Sequence, residues 1–253
     1  MGKVLLIDVE TAPNIAYVWG AWKQNVGVNQ WVQNSHIMSF AAKWLDEDKI
    51  IYKENRKSDD SKIVKAIYDL LDDAEVVVAH NGDGFDLPTI LGRGVVHNYA
   101  PPSPYYVVDT YRVSRRKFRF PQNSLAFIAK HLDLPRKGDH KKFPGFELWL
   151  GCLRNDDEAW DEMREYNIQD VHTLEALYKR ILPYIHNHPN IAEAEEDTVL
   201  CPKCGSDHIH FRGTYKTRVG NPYARFQCQD CGGWGRMKNL DKDAPKNNGR
   251  NTV

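Results

Sequence analysis

What this 253-residue chain lacks narrows its class first. No stretch approaches the roughly 20 consecutive apolar residues of a membrane span, so no transmembrane helix is expected. No secretory leader is expected either. Asp8 and Glu10 interrupt the apolar run at residues 4–7 at once, and no small-residue cleavage site follows. Cysteine is scarce. Four of the five fall in two C-x-x-C pairs, Cys201/Cys204 and Cys228/Cys231, with Cys152 alone upstream. Without secretory signals that spacing argues for a metal site in a reducing compartment, not a disulfide framework. Net charge is absent as well, with 34 Lys and Arg against 34 Asp and Glu, so no overall basic field points to nucleic acid. The zero hides an asymmetry. From Thr198 onward ten Lys and Arg face four Asp and Glu, leaving 24 basic and 30 acidic residues before it. An acidic excess suits metal-holding carboxylates, and equally an ordinary acidic domain with a basic tail.

Hydrophobic period organises the rest. Residues 3–7 read as a buried strand ending in acids, and 36–45 and 49–54 as two more strands around the turn-like Asp46-Glu47-Asp48. Ile63, Ile67, Leu70 and Leu71 predict a helix over 61–73 with Ser61 as N-cap. The β-branched Val76-Val77-Val78 gives a further strand, then the turn Asn81-Gly82-Asp83-Gly84, then a helix whose Phe85 is expected to anchor the turn in the core. A last strand over 105–108 ends at Asp109. Residues 123–132 and 156–182 read as helices, the longer one stopped at Pro183. This order implies an α/β domain over 1–186, with a mixed five-stranded sheet and flanking helices. Residues 187–197 read as a linker, 198–240 as a small second domain, and 241–253 as a disordered tail.

Four acids draw attention by position. Asp8 and Glu10, two apart at a strand end, point to one face, where they repel each other unless a cation lies between them. The ordinary alternative is a solvent-facing strand end. Asp86 follows a strand and opens a helix, on the carboxyl edge where α/β sheets bind ligands; Asp83 is explained by the turn alone. Tyr166 and Asp170 are four apart on one helix face, and Val171, Leu174, Leu177 and Tyr178 continue below them. A carboxylate beside that apolar face needs a partner, and a metal would serve.

Asp8-Val9-Glu10, Asn81 through Asp86, and Tyr166 through Asp170 together resemble the three motifs of the DEDD exonucleases, which have an RNase H-like fold. Tyr-x-x-x-Asp in the third motif matches the tyrosine subclass; the histidine subclass would place His where this chain has Glu165. Val108-Asp109-Thr110 and Asn123-Ser124-Leu125 are similar to the proofreading exonuclease of family B DNA polymerases. The resemblance covers about residues 1–185. It implies a 3′–5′ exonuclease with two Mg²⁺ or Mn²⁺ ions held by Asp8, Glu10, Asp86 and Asp170. Asp8 would bridge both ions, Glu10 and Asp170 would complete the site of the attacking water, and Asp86 would support the other ion. Tyr166 would orient that water or help deprotonate it. The alternatives are a structure-specific endonuclease on the same fold or a non-catalytic nucleic-acid-binding module.

Substrate contacts are less specific. Residues 112–120 read as a loop in which Arg115, Arg116, Lys117 and Arg119 alternate with aromatics, suited to phosphate contact and base stacking. Asn81 is a further candidate, as is the 138–142 stretch. Trp19, Trp22 and Trp31 either line the entrance or fill the core. The two cysteine pairs, 23 residues apart and each followed by glycine, predict one structural Zn²⁺ in a zinc ribbon with two hairpin strands. Arg212 and Arg225 among its aromatics suggest nucleic-acid contact, single-stranded DNA before RNA. A replication or recombination protein is the competing partner. An exonuclease fused to such a ribbon resembles stand-alone phage or bacterial nucleases, which places it in the bacterial or host cytoplasm.

Overall fold

The computed structural model describes residues 2–135, 142–193, 198–238 and 250–251. Strand β1 (Val4–Thr11) is followed by the short β2 (Ile15–Ala16) and β3 (Trp31–Gln33), then β4 (Ile37–Trp44) and β5 (Ile51–Glu54). Helix α1 (Ser61–Asp73), β6 (Val76–Ala79), α2 (Asp86–Val96) and β7 (Tyr106–Asp109) come next. Helices α3 (Thr110–Lys117), α4 (Leu125–His131), α5 (Glu147–Leu153) and α6 (Asp157–Ile181) complete the larger unit. The main sheet runs β5-β4-β1-β6-β7, with β1 antiparallel to β4 and parallel to β6. This is the mixed five-stranded sheet that the element order implies. Among the described residues no helix is long and apolar enough to cross a membrane.

The central strand is apolar on both faces, because helices cover both sides. Leu5, Ile7 and Val9 pack with Ile63, Ile67 and Leu71 of α1 and with Leu87 and Ile90 of α2. Val4 and Leu6 pack on the other face with Val171, Leu174 and Leu177 of α6. A period of two therefore carries Asp8 and Glu10 onto the α6 side, where the apolar run ends.

Several local expectations change. Asp60, not Ser61, stands at the N-cap of α1, and its carboxylate makes no capping bond. It is buried and taken up elsewhere, accepting from Ile37 N–H and from the Arg93 guanidinium at 2.8 and 2.7 Å. Phe85 is 43% exposed and does not anchor its turn; Leu87, two residues on, takes the core position. The basic stretch expected as a loop is helical through Lys117, because the Asp109 carboxylate caps α3 through Tyr111 and Arg112 N–H. Helix α5 was not apparent in the sequence.

The C-terminal unit is a sheet in the order β11 (Arg250–Asn251), β10 (Trp234–Lys238), β9 (Pro222–Cys228), β8 (Ile209–Lys216). Two of these four strands are the expected hairpin. Arg250 and Asn251, expected in the disordered 241–253 tail, pair with β10 as a strand; the rest of that tail lies outside the described residues. Between the units, Ile191 is buried with Leu182 and Ile185, and Cys204 and Cys231 pack against the same cluster. Ile191 accepts from Gly2 N–H and donates to the Pro202 carbonyl. Lys203, only 2% exposed, gives its ammonium to the Pro183 carbonyl at 2.7 Å.

Candidate active site

Carboxylate oxygens of Asp8, Glu10 and Asp170 lie within 4.8 Å of one another, brought together from β1 and α6. Asp86 reaches β1 from a different direction. Strand β6 pairs with β1 only as far as Leu6, so the Val9 amide beyond has no strand partner on that side. The buried Asp86 fills the gap, accepting Val9 N–H at 3.2 Å. It stands outside the tight trio, yet its charge acts on both Asp8 and Glu10.

Crowding shows in the ionisation. Burial, then the charges of Glu10, Asp86 and Asp170, hold Asp8 well above the ordinary carboxylate range. Burial, then Asp170 and Asp86, push Glu10 up to about 8. Asp86 is raised to about 7, again chiefly by burial, against the lowering effect of Val9 N–H. Asp170 rises to about 6, tempered by the hydroxyl of Tyr166. Among the described residues no lysine or arginine forms an ion pair with Asp8, Glu10, Asp86 or Asp170. Hard oxygen donors converging without a protein cation are what a divalent cation requires.

Tyr166 hydrogen-bonds Asp170, and its hydroxyl is raised by burial first and then by the charges of Asp170, Glu10 and Asp8. The raised hydroxyl is a hydrogen-bond donor at neutral pH. Its ring is held edge-on against Trp149 at 6.2 Å.

Two residues have parts in the site that sequence reasoning did not assign. Asn167 is fully buried; its amide donates to Asp8 Oδ2 at 2.6 Å and to the Asp8 carbonyl at 3.2 Å. Its Oδ1 accepts from Ser39 of β4 at 3.1 Å, so one side chain fixes β1, β4 and α6 together. The signal was an amide inside the Tyr-x-x-x-Asp motif on the inward face. Asp109 is the second. Besides capping α3, it accepts from Asn81 N–H at 3.0 Å and Asp83 N–H at 3.3 Å, pinning the loop that delivers Asp86. Asn81 sits in the left-handed region at φ 67°, which an asparagine tolerates.

The expected substrate contacts divide. Arg115, Arg116 and Lys117 are exposed on α3, with Arg119 just beyond. Arg116 and Lys117 border a cleft of about 300 Å³ with Val108, Ile185 and Asn187. Arg112 is instead paired with Asp83 at 2.6 Å. Arg212 is exposed, whereas Arg225 is engaged, donating to the Arg212 carbonyl at 3.0 Å and lying 4.9 Å from the Trp234 ring. Residues 138–141 lie outside the described residues; Lys142 pairs with Glu158.

The four cysteine sulfurs also lie within 4.8 Å of one another. Cys201 to Cys231 and Cys204 to Cys228 are each 3.7 Å, far too long for disulfides near 2.05 Å. Sulfurs about 2.3 Å from one tetrahedral zinc stand roughly 3.8 Å apart, so the donor set fits that ion. The knuckles are alike: Gly205 and Gly232 both sit at φ 74°, and their N–H groups donate to the carbonyls of Cys201 and Cys228. The buried Lys203 ammonium feels the charges of Cys231, Cys201 and Cys204.

Comparison with known proteins bears on the fold. A family B DNA polymerase from the hyperthermophilic archaeon Pyrobaculum calidifontis shares the fold, with a TM-score of 0.53 and 18% identity over 73% of this chain. The chain spans about a quarter of that polymerase, 25% of its length. No curated protein matches the chain. A family model described as RNase H superfamily matches residues 28–182, which takes in Asp86, Tyr166 and Asp170 and leaves Asp8 and Glu10 ahead of it. With more than half its length matched, the chain belongs to the RNase H superfamily.

Proposed function

We propose that the protein is a metal-dependent 3′–5′ exonuclease acting on single-stranded or frayed DNA ends. The observation that carries this reading is the convergence of Asp8, Glu10 and Asp170 within 4.8 Å, with Asp86 close enough to raise the ionisation of Asp8 and Glu10. Asp8, Glu10, Asp86 and Asp170 would hold two Mg²⁺ or Mn²⁺ ions. When bound, such ions activate water and stabilise charge in an in-line phosphoryl displacement. The chain's own groups do the positioning. Asn167 fixes the Asp8 carboxylate, Tyr166 offers an O–H to orient water beside Asp170, and Asp109 holds the loop that presents Asp86. Arg115, Arg116, Lys117 and Arg119 present positive charge to backbone phosphates. Cys201, Cys204, Cys228 and Cys231 hold a structural zinc that secures residues 198–238 against the end of α6.

The deciding experiment incubates the protein with end-labelled linear and circular single strands, of DNA and of RNA, in Mn²⁺. Stepwise loss from the 3′ end of linear DNA, with circles intact, is the expected result. Cutting of circles would assign an endonuclease instead, and binding without cleavage a non-catalytic module.

A further inference from the structure

Between β1 and β4 the chain leaves the main sheet for residues 12–35 and then returns to it. Ala12 N–H donates to the His36 carbonyl at 2.9 Å, closing the base of the excursion. It rises from the strand end that carries Asp8 and Glu10, since Glu10 pairs with Ser39 and Thr11 with Ile37 across that edge. The excursion is a built arm. Strands β2 and β3 pair antiparallel, and Tyr17 N–H donates to the Gln30 carbonyl at 2.9 Å. The Gln30 side chain donates to the Tyr17 carbonyl and accepts Gly27 N–H, both at 2.8 Å.

On this frame the aromatic side chains stand in solvent. Trp19 is 98% exposed, Trp22 79%, Tyr17 78% and Trp31 43%, and none belongs to a core cluster. Folding draws little from these rings, although an indole brings a large apolar surface wherever it is covered. The composition of the arm says what covers them. Residues 12–35 contain Lys23 and no Asp or Glu, together with seven amides: Asn14, Gln24, Asn25, Asn29, Gln30, Gln33 and Asn34. A charge-matched protein partner would find almost nothing to pair with. Flat π faces among amides are the chemistry that takes unpaired bases, the rings by stacking and the amides at base edges. An arm free of acids also gives a polyanion an approach to the carboxylates without added like charge.

We infer that residues 12–35 form a stacking arm that holds the unpaired bases of single-stranded DNA leading to the carboxylate cluster. This rests on the nuclease reading above. Full-length Trp19→Ala/Trp22→Ala and Trp19→Phe/Trp22→Phe variants test it; both side chains are solvated, so folding is preserved. Affinity for a short oligothymidylate, and for an abasic strand of equal length, is measured by anisotropy without Mg²⁺ or Mn²⁺. Hydrolysis of methyl p-nitrophenyl phosphate, which carries no base, in Mn²⁺ reports the carboxylates without a strand leading to them. The alanine pair should bind oligothymidylate at least about tenfold more weakly, and the phenylalanine pair should recover most of the loss. Abasic-strand affinity and ester hydrolysis should not change. Unchanged oligothymidylate affinity, or an equal loss on the abasic strand, overturns the inference. A wild-type dimer that the alanine pair dissolves, with affinity unchanged, overturns it too and assigns the arm to a second copy. Base-dependent binding by a wild type that hydrolyses no ester upholds the arm and counts against the nuclease reading alone.

Discussion

Replacing Glu10 by Gln should make the metal-free protein more stable at pH 8 and leave it nearly unchanged at pH 5. Glu10 ionises in the fold near 8, against an ordinary value of 4.5, because it is buried beside Asp170 and Asp86. The folded state therefore holds a proton between these values that the unfolded state has released. A raised carboxylate contributes its full stability at low pH and loses it as pH climbs from about 4.5 through 8. Each pH unit in that window is worth about 1.4 kcal/mol, which sets an upper bound of roughly 4 kcal/mol at pH 8. Asp86 and Asp170, raised only to about 7 and 6, are ionised at pH 8 and relieve none of this, but Asp8 is held higher and the charged cluster can relax towards water. About 2 kcal/mol is the more realistic figure, a rise in Tm of about 4–8 °C for a chain of this size. Calorimetry in buffer stripped of Mg²⁺ and Mn²⁺ over a chelating resin measures it directly. Adding Mn²⁺ at pH 8 should then stabilise wild type more than Glu10→Gln, since the variant has lost both the repulsion and the ligand. A variant that melts below wild type at pH 8 without metal would refute the electrostatic account.

Asp8→Ala or Asp170→Ala should abolish hydrolysis while leaving DNA affinity largely intact; activity above about a tenth of wild type in either variant would count against their role as metal ligands. Tyr166→Phe should lower kcat on the order of 100-fold with little change in the metal concentration required, and full activity at every pH would make Tyr166 a packing residue. Asn167→Ala removes the 2.6 Å donor to Asp8 and the acceptor of the Ser39 hydroxyl, so stability should fall by about 1–3 kcal/mol and the metal requirement should rise. An unchanged metal requirement would show that Asp8 is positioned without it. Cys201→Ser/Cys228→Ser should lower one shared unfolding transition, because Cys204, Cys231 and the buried Lys203 pack against the end of α6. Two independent transitions, with the nuclease portion unmoved, would refute that coupling.

The acids and cysteines were legible because their spacing is itself a geometry. Two residues along a strand put Asp8 and Glu10 on one face, and four along a helix put Tyr166 beside Asp170. C-x-x-C pairs with trailing glycines close local knuckles whatever surrounds them. The β-branched run at 76–78 and the stripe on α1 fixed their elements for the same local reason. Contacts far apart in sequence decided the rest. Asn167 counts only because α6 crosses the end of β1, and Asp109 only because β7 ends beside the loop at 81–83. Asp60 left its capping role because Arg93 and Ile37 offered its buried carboxylate stronger partners. The basic stretch became a helix because its cap, Asp109, belonged to a residue already read as a strand end. Whether Trp19 and Trp22 lay in the core or in water could not be read from their identity, since an indole suits either. Only the tertiary structure decided it, leaving Trp19 98% and Trp22 79% exposed and neither ring in a buried cluster.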